Sequence, residues 1–245
     1  MNYFRSHNPV YKRALNKSES FDATYEAATY GGVARKALYY IALVVLGAVG
    51  GLWIMFTNSR LFLYLFFIAI TTIFIFSLIA LWIPRATKVF GSIYCLGEGL
   101  LVGVVSLAFE VAAPGVVLSA LLSTVVVLAV VVTLFLTGVV KVTGKFIKFL
   151  MIFAISLLIS MILLWVISLI VGMNFDFGLS AIVSALMIFL CTLYLFFDLE
   201  MIRRVVEGGA PKYLEWYVSF GLVFTLVWLY MELLPLLARL FLNRD

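Results

Sequence analysis

From residue 37 onward the chain is a series of long apolar runs separated by short polar connections. Seven runs stand out: Ala37 to Phe56, Leu61 to Ile83, Val89 to Phe109, Val116 to Leu136, Phe149 to Val171, Leu179 to Leu199 and Trp216 to Leu242. At ~1.5 Å per residue each can cross a ~30 Å hydrocarbon core as a helix. The runs are continuous and do not alternate in ten-residue units, which points to helices and away from a barrel. The seventh exceeds the ~20 residues a span needs, so it must tilt or extend past the interface. Residues 1–36 are polar and mixed in charge, with Asn8-Pro9, Ser18, Glu19, Asp22 and Glu26. The expected organisation is a polar tail over 1–36 and an all-α, seven-helix transmembrane domain over 37–245.

Composition supports this division. The chain is 65% hydrophobic and 12% charged, about half the charge of a soluble domain. The net charge of +5 does not indicate nucleic acid, because the basic residues sit in the short connections. Arg5, Lys12, Arg13, Lys17, Arg35, Lys36, Arg85, Lys88, Lys141, Lys145, Lys148, Arg203, Arg204 and Lys212 fall on one side, and Arg60, Arg239 and Arg244 on the other. The positive-inside rule then predicts a cytoplasmic amino terminus and an external carboxyl terminus, which requires an odd number of spans.

Little chemistry of other kinds is present. Cys95 and Cys191 lie singly inside apolar runs, without metal-ligand spacing, and read as packing residues. His7, the single histidine, lies in the tail, so no histidine-based metal or haem site is expected. HExxH and GxSxG motifs are absent, and the seventh run has no lysine for a retinal Schiff base. An enzyme is therefore not expected, and no cofactor is implied. Gly47 with Gly51, and Gly99 with Gly103, form small-xxx-small pairs that allow helices to approach closely.

Four acids stand within or beside the runs. Glu110 reads as a solvated charge at the end of the third. Glu98, between Gly97 and Gly99, stands about 15 Å along the helix from Lys88. It reads either as an interhelical hydrogen-bonding group or as a functional carboxyl. Asp198 lies five residues before Arg203, and a salt bridge to Arg85, just past the second run, is geometrically open to it. Glu232 is ten residues from Leu242, about 15 Å, and hence near the bilayer midplane. A carboxyl at that depth normally faces the protein interior and has a task. If Asp198 and Glu232 shared a cavity, their titrations would be coupled.

Taken together, several stretches resemble the Bax inhibitor-1 (TMBIM) superfamily, and its bacterial YccA-like branch most closely. They are Asn8-Pro9-Val10, Thr29-Tyr30-Gly31-Gly32-Val33-Ala34-Arg35-Lys36, Glu98-Gly99-Leu100-Leu101-Val102-Gly103, Thr137-Gly138-Val139-Val140-Lys141-Val142-Thr143, Phe197-Asp198-Leu199, Gly209-Ala210-Pro211-Lys212-Tyr213 and Trp228-Leu229-Tyr230-Met231-Glu232. The resemblance implies a bundle with a central seventh helix, in a bacterial inner (plasma) membrane, and a pH-sensitive calcium leak. It further implies that Asp198 and Glu232 sense protons and offer transient contacts to calcium, with Arg85 as a latch. The seventh-helix acid is Glu here, and Glu98 adds a carboxyl on the third helix. Calcium would be a permeant ion, with the lipid bilayer, protons and a membrane-protein partner as the other expected contacts. The alternative reading is a non-transporting regulator that binds other membrane proteins, such as a protease, through its tail and small-residue faces.

Overall fold

The computed structural model describes residues 26–171 and 177–242. The tail through residue 25, with His7 and Asn8-Pro9-Val10, lies outside the described residues, as do Asp176 and Arg244. Seven helices follow in order: α1 (Tyr30–Thr57), α2 (Ser59–Trp82), α3 (Thr87–Ala112), α4 (Val116–Leu136), α5 (Gly144–Val171), α6 (Phe177–Glu207) and α7 (Leu214–Leu242). All seven are long and apolar enough to cross a membrane. The chain is an all-α integral membrane protein.

Two helices begin or end well beyond the apolar runs, for local reasons. Helix α1 starts at Tyr30, so residues 30–36, expected in the tail, are helical. The Thr29 side chain accepts from Gly32 N at 3.0 Å and supplies the N-cap. Helix α6 continues past Leu199 to Glu207, where Glu200 pairs with Arg203 at 2.6 Å and Arg204 at 2.8 Å. Such i,i+3 and i,i+4 pairs sustain a helix after its apolar run has ended.

Helix α7 is the axis of the bundle. In its most apolar stretch 44% of residues are buried, against 11–28% in the other six helices. It packs directly against α1, α2, α3, α4 and α6. Helix α5 is outermost and rests on α6, reaching the axis through the cluster of Phe146, Leu150, Leu190 and Trp228. Large apolar side chains on α2 and α5, such as Phe67 and Trp165, point outward, where lipid tails would meet them.

The small-residue pairs of α1 and α3 pack on each other. A Cβ added to Gly99 would lie 2.1 Å from Val44 O, and one added to Gly47 would lie 2.2 Å from Leu96 O. Only glycine allows this backbone contact, in keeping with how small residues bring membrane helices together. The faces that could have offered a docking surface are thus consumed inside the bundle.

At one end of the bundle lie the start of α1, the α2–α3 turn, the α4–α5 connection and the α6–α7 connection; we call it the basic end. There Ala27 and Pro211 form an antiparallel bridge, with Ala28 N donating to Ala210 O at 2.8 Å and Lys212 N to Glu26 O at 2.9 Å. This short clasp joins the segment before α1 to the connection before α7. At the opposite end, Glu110 accepts hydrogen bonds from Gly115 N at 2.7 Å and Val117 N at 3.0 Å. Glu110 remains a charge at the end of α3, and it also caps α4, whose N-cap Gly115, at φ 87°, brings no side chain of its own.

Candidate functional site

Asp198 and Glu232 both lie along the packed α6/α7 pair. Asp198 is 9% exposed and sits beside Thr225 of α7, near Tyr217. A Cβ built on Gly221 would stand 3.5 Å from Asp198 Oδ1, so the carboxyl lies over nearly bare backbone. The Thr225 hydroxyl donates to Gly221 O at 3.1 Å. Asp198 Oδ2 is buried and has no hydrogen-bond partner among the described residues. Buried polar atoms are nearly always satisfied, so this orphan calls for an explanation.

Glu232 stands further along the same pair. It is half-buried, accepts from Trp228 Nε1 at 3.3 Å, and lies near Cys191 of α6. Cys191 is seven residues before Asp198, and Thr225 is seven residues before Glu232. The two acids are therefore about two turns apart along the antiparallel pair, roughly 10 Å. They share an interface but occupy different levels of it. Pro235, one turn after Met231, has no N–H to offer the Met231 carbonyl, which leaves a backbone oxygen without its helical donor next to Glu232.

The other two predicted residues lie elsewhere. Glu98 on α3 is half-buried and within hydrogen-bonding reach of Tyr94, whose ring packs edge-on against Phe220 of α7 at 5.3 Å. Arg85 does not meet Asp198. Its guanidinium lies 5.6 Å from the centre of the Tyr213 ring, and among the described residues it forms no ion pair. Tyr213 precedes Gly221 by eight residues, about 12 Å along α7. A latch from Arg85 to Asp198 is not formed in this structure.

No group of three or more His, Cys, Asp or Glu side chains that could hold a metal occurs among the described residues. Calcium takes six to eight oxygen ligands, so two acids at different levels do not make a resident cage for it. A cavity of about 720 Å³ opens between α1, α3, α4 and α7, where Ser106 and Tyr230 hydroxyls meet at 2.6 Å, and none of the four predicted residues lines it.

A further buried carboxylate was not singled out from the sequence. Glu215, 1% exposed, sits at the start of α7 and pairs with Lys36 of α1. Thr29 N donates to its Oε1 at 2.7 Å, and Thr29 Oγ1 at 3.3 Å. A Cβ on Gly32 would stand 2.2 Å from Oε1, so glycine is what lets the carboxylate in. The motif from Thr29 to Lys36 is thus a cradle: Thr29 supplies donors, Gly32 the space and Lys36 the charge.

No curated protein matches the chain significantly. A family model described as Bax inhibitor 1 like matches residues 8–241. That span takes in the cradle, the α6/α7 acids and the clasp together, and the chain belongs to the Bax inhibitor 1 like family.

Proposed function

We propose that the protein is a pH-sensitive cation leak, with calcium as the permeant ion, controlled by protonation of Asp198 and Glu232 between α6 and α7. The observation that carries this reading is the buried Asp198, with one orphaned oxygen and no cation beside it. An ionisable group kept at that depth with one oxygen unpaired is expensive, and such groups mark ion and proton pathways. The acidic oxygens of Glu232, with the freed Met231 carbonyl next to it, suit a hard cation making transient contacts. Family membership supports the same reading, and the matching stretches favour the bacterial YccA-like branch within it. The charge distribution supports a plasma-membrane orientation with the basic end in the cytoplasm and the carboxyl terminus outside. A latch by Arg85 would need a second conformation in which the guanidinium leaves Tyr213.

Calcium flux into proteoliposomes between pH 5 and 8 tests this, with wild type, Asp198→Asn and Glu232→Gln side by side. We expect pH-dependent flux in the wild type and loss of that dependence in both variants. A folded wild type that passes no calcium at any of these pH values would overturn the reading. The protein would then be better described as a non-transporting regulator.

A further inference from the structure

At the basic end, a second cavity of about 400 Å³ lies between the start of α1, the α2–α3 turn and the start of α7. Four cations line it: Lys36, Arg85, Lys88 and Lys212, together with the rings of Tyr213 and Trp216. Two of the charges are neutralised, Lys36 by Glu215 and Lys212 by Glu26. Arg85 and Lys88 have no acidic partner among the described residues. Both are held against aromatic faces, Arg85 at 5.6 Å from the centre of Tyr213 and Lys88 at 5.3 Å from Trp216.

Their placement is built into the packing. The Tyr40 hydroxyl of α1 donates to Thr87 O at 2.9 Å, and Thr87 Oγ1 donates to Ala80 O at 2.8 Å. These buried bonds fix the turn that carries Arg85 and Lys88. Trp216 is held edge-on by Tyr39 and Tyr40, with ring centres 5.4 and 5.7 Å away. Helix α3 begins in the same place, and its N-cap, Ala86, offers no side-chain oxygen to the first amides. The result is a concave site with two exposed, unneutralised cations, carried on a turn that buried hydrogen bonds hold in place. Charges of like sign gathered in this way repel unless an anion enters.

We propose that this cavity binds a phosphate group, that of an anionic lipid headgroup. The site lies where the spanning helices end, and Trp and Tyr are the side chains favoured at the membrane–water interface. Basic pockets between spanning helices on this side are suited to phosphate-bearing headgroups, and a planar guanidinium can meet phosphate through two parallel hydrogen bonds. The site shares Arg85 with the latch considered above, but its occupation does not require that the protein conduct ions.

The test uses the full chain in nanodiscs and detergent, with phosphatidylglycerol, phosphatidylcholine and inorganic phosphate as probes. Native mass spectrometry and thermal unfolding should show phosphatidylglycerol retained and stabilising, and phosphatidylcholine not. The Arg85→Gln/Lys88→Gln double variant should bind phosphatidylglycerol roughly 30-fold more weakly. The charge-conserving Arg85→Lys/Lys88→Arg variant should keep most of the affinity, and Lys145→Gln/Lys148→Gln, at the same end but outside the cavity, all of it. Stabilisation by millimolar inorganic phosphate with no lipid preference would keep the phosphate site but assign it to a free ligand. Absence of both effects in the wild type would overturn the proposal, whether or not the variants fold. Equal weakening by the Lys145/Lys148 pair would overturn it too, since the attraction would then belong to the whole surface.

Discussion

Glu215 and Asp198 are both buried carboxyls on the last two helices, 1% and 9% exposed, yet they are equipped in opposite ways. Glu215 has a lysine, a backbone amide and a hydroxyl aimed at it, with a glycine clearing the approach. Asp198 has a neighbouring threonine, bare helix backbone and an orphaned oxygen. The first arrangement holds one charge state and resists any other. The second leaves one carboxyl oxygen without a hydrogen-bond partner among the described residues, the feature on which the proposed leak rests. Burial alone therefore does not identify a functional acid in this protein; what distinguishes the two is the partners around each.

The comparison breaks most visibly at Glu215. Glu215→Gln leaves the partly buried Lys36 without its counter-charge, and removing one member of a buried ion pair costs about 3–5 kcal/mol. We expect a loss of that order in mixed-micelle unfolding. Lys36→Met should cost a similar amount, and the double variant less than the two losses added together. Strict additivity would mean that the pair does not hold the end of the bundle.

Two glycines give a matched test of the surroundings. Gly32→Ala drives a methyl to 2.2 Å from Glu215 Oε1, whereas Gly221→Ala places one at 3.5 Å from Asp198 Oδ1. Overpacking of the first kind costs about 1–3 kcal/mol. The second is ordinary contact and should be neutral or stabilising by up to ~1 kcal/mol, since alanine is the better helix former. Equal losses at the two positions would erase the distinction drawn between the sites.

At Asp198 itself, Asp198→Asn keeps the shape and removes the charge. With no ionic partner to orphan, its stability should change by less than about 1 kcal/mol, while the pH dependence of flux is lost. A loss as large as that of Glu215→Gln would make Asp198 a structural acid and remove the main support for the leak. Arg85→Gln should leave the pH profile of flux unaltered if the unlatched arrangement is the conducting one, and shift it if a latched state is populated.

The parts of the fold that were legible in the sequence are those that depend on apolar periodicity. Helix α4 spans Val116–Leu136 in the structure, the same bounds its uninterrupted run predicts. The helices whose ends depend on polar partners, α1 and α6, extend past their apolar runs. Gly31-Gly32 lies in the first turn of α1, ahead of the apolar run, and the purpose of Gly32 is visible only once Glu215 is beside it. Glu215 itself stands just outside the apolar run that starts at Trp216, and the partner that explains it is 179 residues away. For the α6/α7 acids, the sequence placed both on consecutive helices at different depths, Asp198 near Arg203 and Glu232 near the midplane. That the two line one packed interface, and that Arg85 stands apart from Asp198, emerge only from the tertiary arrangement.

The smallest expected effect lies in the clasp, where Glu26 meets Lys212 in the open. The hydrogen bond and the charge of Lys212 hold the Glu26 carboxyl below its ordinary value of 4.5. A carboxylate with a depressed folded value contributes stability that is fully present above the unfolded value and is lost as pH falls through the folded one. The clasp should therefore be intact at pH 6 and loosen below about pH 4. Because the pair is exposed, salt screens it and the change stays local. Hydrogen exchange at the Ala28 amide, which donates to Ala210 O, is the readout, corrected for the intrinsic rate. Its protection should fall on acidification in wild type and be lower and nearly flat in Glu26→Gln, while the Tyr30–Thr57 helix beyond it stays protected. If helix protection fell along with Ala28, the clasp and the Glu215 cradle would be one cooperative unit, and the fixed carboxylate would owe part of its setting to this exposed pair.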